Sequence, residues 1–330
     1  MHYRKFGRTD LMVSEIGFGA WAIGGNAVIG TTPIGWGEAD DAVSEAAIHA
    51  ALDAGVNFFD TADFYGLGHS ESLLGRVLKG NDEAIIATKV GHRNVSNTIV
   101  LDYSKEYIIR ACEESLRRLN RGTIDYYQLH SARMKHLEQG GCIEAMEALK
   151  QQGKIRYWGL SLPTFQPDEE ANYLMFEKLG DGFQLVFNLI NQRAMKVIRT
   201  AGEEGYGIIA RMPLQFGLLT GKFSASTRFS NDDHRSFRLT PRILQNSLQV
   251  LEEKVWPLGA AERMSKTELA LNFILSLDEI STVITGIRTP EHVVQNTRET
   301  RRLQDIHLRY LQSLADQEWK SILEEMEKQG

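Results

Sequence analysis

Cysteine is nearly absent from this sequence: Cys112 and Cys142 are the two among 330 residues. They form no C-x-x-C pair and have no metal-ligand partners at typical offsets, so no disulfide framework or metal site is expected, and buried free thiols are. Proline is scarce as well, with 7, and no Pro/Ser-rich linker or break in composition divides the chain, so residues 1–330 are expected to form one domain. Long apolar runs are missing. Nothing approaches a membrane span, and the start at Met1-His2-Tyr3-Arg4-Lys5 leads into no signal-like apolar stretch, which points to a cytoplasmic protein with no membrane partner. An excess of basic charge is missing too. The 37 Lys and Arg are scattered and outnumbered by 43 Asp and Glu, for a net charge of −6, which leaves no footprint for nucleic acid.

What is present is an ordinary globular composition with a recurring rhythm, 42% hydrophobic and 24% charged. Residues 3–16 read as two short strands about the turn Gly7-Arg8-Thr9-Asp10. Eight apolar, β-branched or aromatic runs follow, at 16–23, 57–60, 84–90, 124–130, 157–162, 183–188, 207–214 and 281–287. Segments of helical spacing separate them, among them 42–54, 104–119, 143–152, 191–204 and 241–277, several closed by Gly55, Gly153 or Gly205. Runs apolar on both faces suit parallel strands covered by helices, and eight such units predict an α/β fold, a (β/α)8 TIM barrel with an N-terminal β-hairpin. The longest irregular stretches, 24–40 and 215–240, both follow strands. In a barrel they are long loops at the C-terminal mouth, where active sites are built.

Gly17-Phe18-Gly19-Ala20-Trp21-Ala22 imitates a dinucleotide-binding G-x-G-x-x-A fingerprint. That motif has meaning only where it opens a helix and an acidic residue ends the next strand. Here Gly24, Gly25 and Asn26 follow at once, and Glu38, Asp40 and Asp41 lie in a loop, so a Rossmann reading is rejected.

Asp60 ends the run Asn57-Phe58-Phe59, and Tyr65 follows in the turn Thr61-Ala62-Asp63-Phe64-Tyr65-Gly66. Alone, these read as a turn aspartate and a loop tyrosine. Lys89, near the end of the next run, changes the balance, because a lysine in a buried strand is costly unless paired and Asp60 is the obvious partner. His130 ends the run after that; alone it is an ordinary core histidine, as Lys89 alone is a snorkelling strand-end lysine. Three ionisable groups at the ends of three successive strands, on one face of a barrel, favour a functional reading.

Asp60-Thr61-Ala62-x-x-Tyr65-Gly66, Ala87-Thr88-Lys89 and Asp125-Tyr126-Tyr127-Gln128-Leu129-His130 resemble the tetrad segments of the aldo-keto reductases, in style the bacterial inositol-utilisation or general-stress type. The resemblance implies hydride transfer between NADPH, or NAD(H), and an aldehyde, ketone or open-chain sugar carbonyl. In that scheme the catalytic residues are Asp60, Tyr65, Lys89 and His130: Tyr65 donates the proton, Lys89 assists it, Asp60 holds Lys89, and His130 orients the carbonyl oxygen. A phenol ordinarily keeps its proton to about pH 10, and a neighbouring ammonium favours the phenolate. Asp63, Tyr126 and Tyr127 are left as structural residues.

The resemblance also assigns cofactor contacts. Ser161 and Gln184 match the polar pair for the nicotinamide carboxamide, Gly19 and Trp21 lie at the mouth, and Arg211-Met212-Pro213-Leu214 with Gly217, Leu218 and Lys222 matches the segment that stacks on the nicotinamide and wraps the pyrophosphate. Gly286, Arg288, His292 and Asn296 complete the set. From the residues themselves, Thr289-Pro290 predicts a helix start after the eighth strand, a recurrent phosphate site in barrels, and Arg288 beside it suits a 2′-phosphate and so NADP. Leu162, Arg211, His292 and Gln295 depart from the commoner family residues. His69 and His92 are expected to line the mouth with the aromatic Trp21, Trp36, Phe64 and Phe216, whereas His49, His234 and His307 read as surface residues. Two further readings stand beside the reductase: an NAD-dependent sugar or polyol dehydrogenase, and a cofactor-binding regulatory subunit, against which the intact tetrad argues. A barrel hydrolase needs a second mouth carboxylate that the sequence does not place. The expected partner is a small carbonyl or alcohol substrate, and oligomeric state stays open.

Overall fold

The computed structural model describes the whole chain except residues 31, 36, 231, 232, 234 and 330 and the side chain of Pro33; Trp36 and His234 therefore lie outside the described residues. Its first element is the hairpin β1 (Tyr3–Lys5) and β2 (Met12–Ser14), antiparallel with Tyr3 opposite Ser14. The barrel strand β3 (Ile16–Gly19) follows, then the short antiparallel pair β4 (Val28–Ile29) and β5 (Thr32–Pro33). Next come α1 (Asp41–Asp53), β6 (Phe58–Asp60), α2 (His69–Val77) and β7 (Ile85–Val90). A second outlying hairpin, β8 (His92–Val95) and β9 (Thr98–Leu101), precedes α3 (Lys105–Leu119) and β10 (Ile124–His130). The chain continues through α4 (Met134–Glu138), α5 (Gly141–Gln151), β11 (Ile155–Ser161), α6 (Asp168–Phe176), β12 (Gly182–Val186), α7 (Met195–Glu203) and β13 (Gly207–Arg211). It ends with α8 (Arg235–Arg238), α9 (Pro241–Val250), α10 (Trp256–Glu262), α11 (Lys266–Leu275), β14 (Thr282–Gly286), α12 (Pro290–Thr297), α13 (Asp305–Leu314) and α14 (Lys320–Glu327).

Eight strands, β3, β6, β7, β10, β11, β12, β13 and β14, pair in parallel in chain order, and β14 returns to β3 to close the barrel. The expected (β/α)8 architecture is the one observed. The N-terminal hairpin stoppers the lower end: Phe6 is fully buried, meets Tyr126 edge-on at 4.9 Å, and packs with Leu11, Val13, Phe58 and Ile284. Glycine makes room for that ring. A Cβ on Gly207 would lie 2.5 Å from Phe6, and one on Gly182 would lie 2.8 Å from it.

Several boundaries differ from the sequence pattern. The first barrel strand stops at Gly19, where a Cβ would meet the Thr285 carbonyl at 2.8 Å, and residues Ala20–Ile23 turn into a 3-10 helix. The helical spacing over 241–277 is three helices with a π turn at Leu251–Val255. Arg263, at φ 55°, ends α10, and the Ser265/Glu268 capping box starts α11. Both cysteines are free and buried, and no described helix is long and apolar enough to cross a membrane.

Candidate active site

Strand ends position three of the four expected catalytic side chains, and a turn brings in the fourth. Asp60 closes β6, Lys89 sits one residue before the end of β7, and His130 closes β10, with Lys89 in register with Gln128. Tyr65 is not on a strand. Its turn is tied down by Thr61 N–H to the Ala87 carbonyl (2.8 Å), Asp63 N–H to the Lys89 carbonyl (3.2 Å), and Tyr65 N–H to the Ala62 carbonyl (3.1 Å). Gly66 follows at φ 60°, where a Cβ would lie 2.0 Å from the Gly24 carbonyl, so only glycine lets this loop nest on the loop after β3.

Lys89 is fully buried, and its ammonium donates to Asp60 Oδ1 (2.6 Å), the Thr61 carbonyl (2.7 Å) and Tyr65 Oη (3.3 Å). Those three bonds use all its protons. Burial works to lower its pKa, but the Asp60 charge and Tyr65 outweigh it, and the pKa ends above the ordinary lysine value. Asp60 Oδ2 accepts from Gln128 Nε2 (3.1 Å) and Gln184 Nε2 (2.7 Å). Gln184, expected at a carboxamide, therefore braces the buried carboxylate here. Gln128 was missed as a site residue; its signal is the two-residue step from His130 along β10, which places both on the inward face.

The His130 imidazole is held well below its ordinary pKa by burial first, then by His92, Lys89 and Arg211, and so is neutral. Its Nδ1 is buried without a partner. The ring stacks on His92 at 4.3 Å and meets Tyr65 edge-on at 6.0 Å, while Trp21 stacks on the other side of Tyr65 at 6.0 Å. His92 lines the mouth as expected and is lowered by burial to about 4. Phe64 abuts it edge-on at 5.3 Å. His69 instead turns to Asp41 at the start of α1 (2.8 Å), and His307 is not a bare surface residue but bonds Glu262 (2.7 Å); His49 is exposed. Behind Lys89, Thr88 and Arg118 both donate to the buried Glu71 (2.6 and 2.7 Å), and burial followed by the Glu71 charge pushes the Asp63 carboxyl well up.

The expected cofactor residues form two groups. At the mouth, Ser161 ends β11 in register with both His130 and Gln184, and Arg211 ends β13. Asn188, which the sequence reading did not select, donates to the Met212 carbonyl (2.9 Å) and Gln215 Oε1 (2.8 Å), holding the start of the loop that runs through Pro213, Leu214, Gly217 and Leu218. Gly19 and Gly286 stand side by side where β3 and β14 end, and a Cβ on Gly286 would meet nothing within 4 Å. The second group surrounds the start of α12. Thr289 is its N-cap and Pro290 its first residue, but no side-chain bond caps it. His292 is half-buried and its pKa is lowered by burial, then by the Lys222 and Arg288 charges, with Glu291 opposing them, so three basic side chains and one carboxylate gather there. Arg288 donates through its side chain to the Glu38 carbonyl, and Asn296 is buried on the same helix.

The mouth of a parallel barrel thus holds a buried ammonium–carboxylate pair in contact with a tyrosine, and the helix after the last strand starts among basic side chains. Residues 15–316 match the Aldo/keto reductase family, and the chain belongs to that family, whose members are oxidoreductases that use nicotinamide cofactors. It is 31% identical over 326 residues to an uncharacterized oxidoreductase, YqkF, of Bacillus subtilis, covering 96% of this chain and 98% of that one. Two solved structures are similar at 28% identity. The glycerol dehydrogenase AKR11B4 from Gluconobacter oxydans has a TM-score of 0.81, covering 96% of this chain and 95% of the other. The holo form of the aldo-keto reductase AKR11C1 from Bacillus halodurans has 0.76, covering 96% of each.

Proposed function

We propose that this protein is an NADPH-dependent reductase of aldehydes, ketones or open-chain sugar carbonyls. The carrying observation is Lys89, a buried cation whose Nζ donates to Asp60 and lies 3.3 Å from Tyr65 Oη. The bound nicotinamide supplies the hydride. As the carbonyl oxygen gains negative charge, Tyr65 gives up its proton and the phenolate that forms lies beside the Lys89 ammonium. Asp60 keeps that ammonium charged and aimed, and neutral His130 orients the carbonyl by a hydrogen bond. The residues suit a nicotinamide dinucleotide: His130 Nδ1 and Arg211 Nε are buried polar atoms without partners, and Gly286 leaves open space at the mouth. Ser161, Gln184 and Arg211 would hold its nicotinamide end, with Gly19, Trp21 and the loop from Met212 to Lys222 along it. The cluster of Lys222, Arg288 and His292 favours NADP, since a 2′-phosphate adds charge that NAD lacks. We read residues 1–330 as one domain, and the free buried thiols fit a cytoplasmic setting.

A polyol dehydrogenase working with NAD is the second reading, favoured by the likeness to a glycerol dehydrogenase. Fluorescence titration with NADPH and then NADH, followed by an activated aldehyde, separates the readings. Tight NADPH binding with turnover is expected, and binding without turnover over a broad carbonyl panel points instead to a regulatory subunit. Tyr65→Phe should lower turnover by about 100-fold or more, the scale of a positioned general acid, with cofactor affinity nearly unchanged. A Tyr65→Phe protein that keeps most of its activity assigns the proton to another group.

A further inference from the structure

Charge around Tyr65 does not balance. Lys89 and Arg211 are cations, and among the described residues Asp60 is the one carboxylate that acts on both. Asp60 is fully engaged, by Lys89 on one oxygen and by Gln128 and Gln184 on the other. The remaining ionisable groups bring no compensation. His130 and His92 are neutral, Asp63 is pushed toward its neutral form, and Glu71 is occupied by Arg118 and Thr88.

Among the described residues Arg211 has no carboxylate partner. Its guanidinium donates to the Leu162 carbonyl (3.1 Å) and to Thr164 Oγ1 (3.3 Å), approaches Met212 Sδ at 3.4 Å, and leaves Nε buried without an acceptor. Leu162 N–H in turn donates to the Gln184 carbonyl (2.7 Å), which sets Arg211 over the same strand ends that hold Asp60. Burial lowers its pKa, and the nearby Tyr65 and Asp60 act against that lowering. Among the described residues the site thus carries one cation more than it has anions, and a half-buried charge without a counter-charge is only partly compensated by its hydrogen bonds.

We infer that Arg211 makes this site discriminate between the two redox states of the cofactor, binding reduced nicotinamide more tightly than oxidised. The inference rests on the functional reading above. A hydride-donating ring must approach the carbon whose oxygen takes the Tyr65 proton, to about 3–3.5 Å, and so it lies close to a group on which Arg211 acts. The reduced ring is neutral and the oxidised ring is a cation. A third positive charge in a partly desolvated pocket that already holds an excess one is repelled, while a neutral ring is not. The bias favours carbonyl reduction through capture of the reduced cofactor and ready release of the oxidised one.

The test is a pair of dissociation constants, for NADPH and for NADP⁺, measured by calorimetry at one pH and salt concentration for the wild type, Arg211→Met, Arg211→Gln and Arg211→Lys. The ratio is read, because a lost contact weakens both forms together whereas lost charge repulsion changes one. The wild type should favour NADPH by about tenfold or more, the neutral variants should fall to within about threefold, and Arg211→Lys should retain the preference. Two neutral variants guard against one that folds poorly. An unchanged ratio in both, or equal wild-type affinities, overturns the inference while leaving the reductase reading intact. If the wild type binds only NADH and NAD⁺, the same ratio is read on that pair. Failure to bind any of the four nucleotides overturns the functional reading and this inference with it.

Discussion

Lys89 shows how a costly buried cation can be accommodated. Its burial is tolerated because Asp60, a backbone carbonyl and Tyr65 take its three protons, and two glutamines hold the far side of Asp60. Residue pattern alone pairs Lys89 with Asp60, since both end adjacent strands. It does not reveal Gln128 and Gln184 as the brace, because a glutamine carries no burial penalty sharp enough to single it out. The two stacked histidines yield a pH prediction. Both have pKa values lowered in the fold, so the unfolded chain binds protons that the native chain does not as pH falls below about 6.5. Stability is then fully present above pH 6.5 and is lost progressively as pH falls toward 4. His92 should account for up to about 2 kcal/mol of that loss once its partial exposure is allowed for. Urea midpoints at pH 7, 5.5 and 4.5 should decline, and His92→Gln should flatten the decline; an equal slope in the variant places the proton uptake elsewhere.

At the scale of elements, two glycine contacts decide what the strands and loops can do. The hairpin plug depends on bare backbone at Gly182 and Gly207 beneath Phe6, so Gly207→Ala should cost about 1–3 kcal/mol through overpacking in a denaturant melt. In the Gly207→Ala background, trimming the ring with Phe6→Leu should recover part of that loss. The Tyr65 turn depends on Gly66 lying against Gly24. Gly66→Ala should lower kcat by about 100-fold through a displaced Tyr65, far more than its effect on Tm would suggest. Elements with strong signals were legible in the sequence: eight apolar runs, the hairpin turn, and the Thr289-Pro290 helix start. Those missed were short or polar. The hairpin of β8 and β9 has four of its apolar residues exposed, Val95, Ile99, Val100 and Leu101, so it shows no strand alternation of buried and exposed faces. Helix α2 follows an N-cap, Gly68, at φ 95°, and has a polar first turn, so its start carries no apolar signal.

For the whole molecule, closure by β14 against β3 joins the two halves of the chain in one sheet, with β1 and β2 sealing the lower end. If residues 1–330 are one domain, unfolding followed by tryptophan fluorescence and by far-ultraviolet circular dichroism should give coincident transitions, and separated transitions would divide the chain. On the proposed function the cofactor binds only the folded mouth, so NADPH at about 100 times its dissociation constant should add about 2.7 kcal/mol of stability. By itself the sequence determined the barrel and the chemistry-bearing strand ends, because periodicity and the cost of burying Lys89 are local properties written residue by residue. Tertiary structure decided what surrounds them: the glutamine brace on Asp60, the histidine stack, the basic cluster at α12 and the unpaired charge of Arg211. Each of these depends on which groups from distant strands share one desolvated space, and that is a property of the closed barrel.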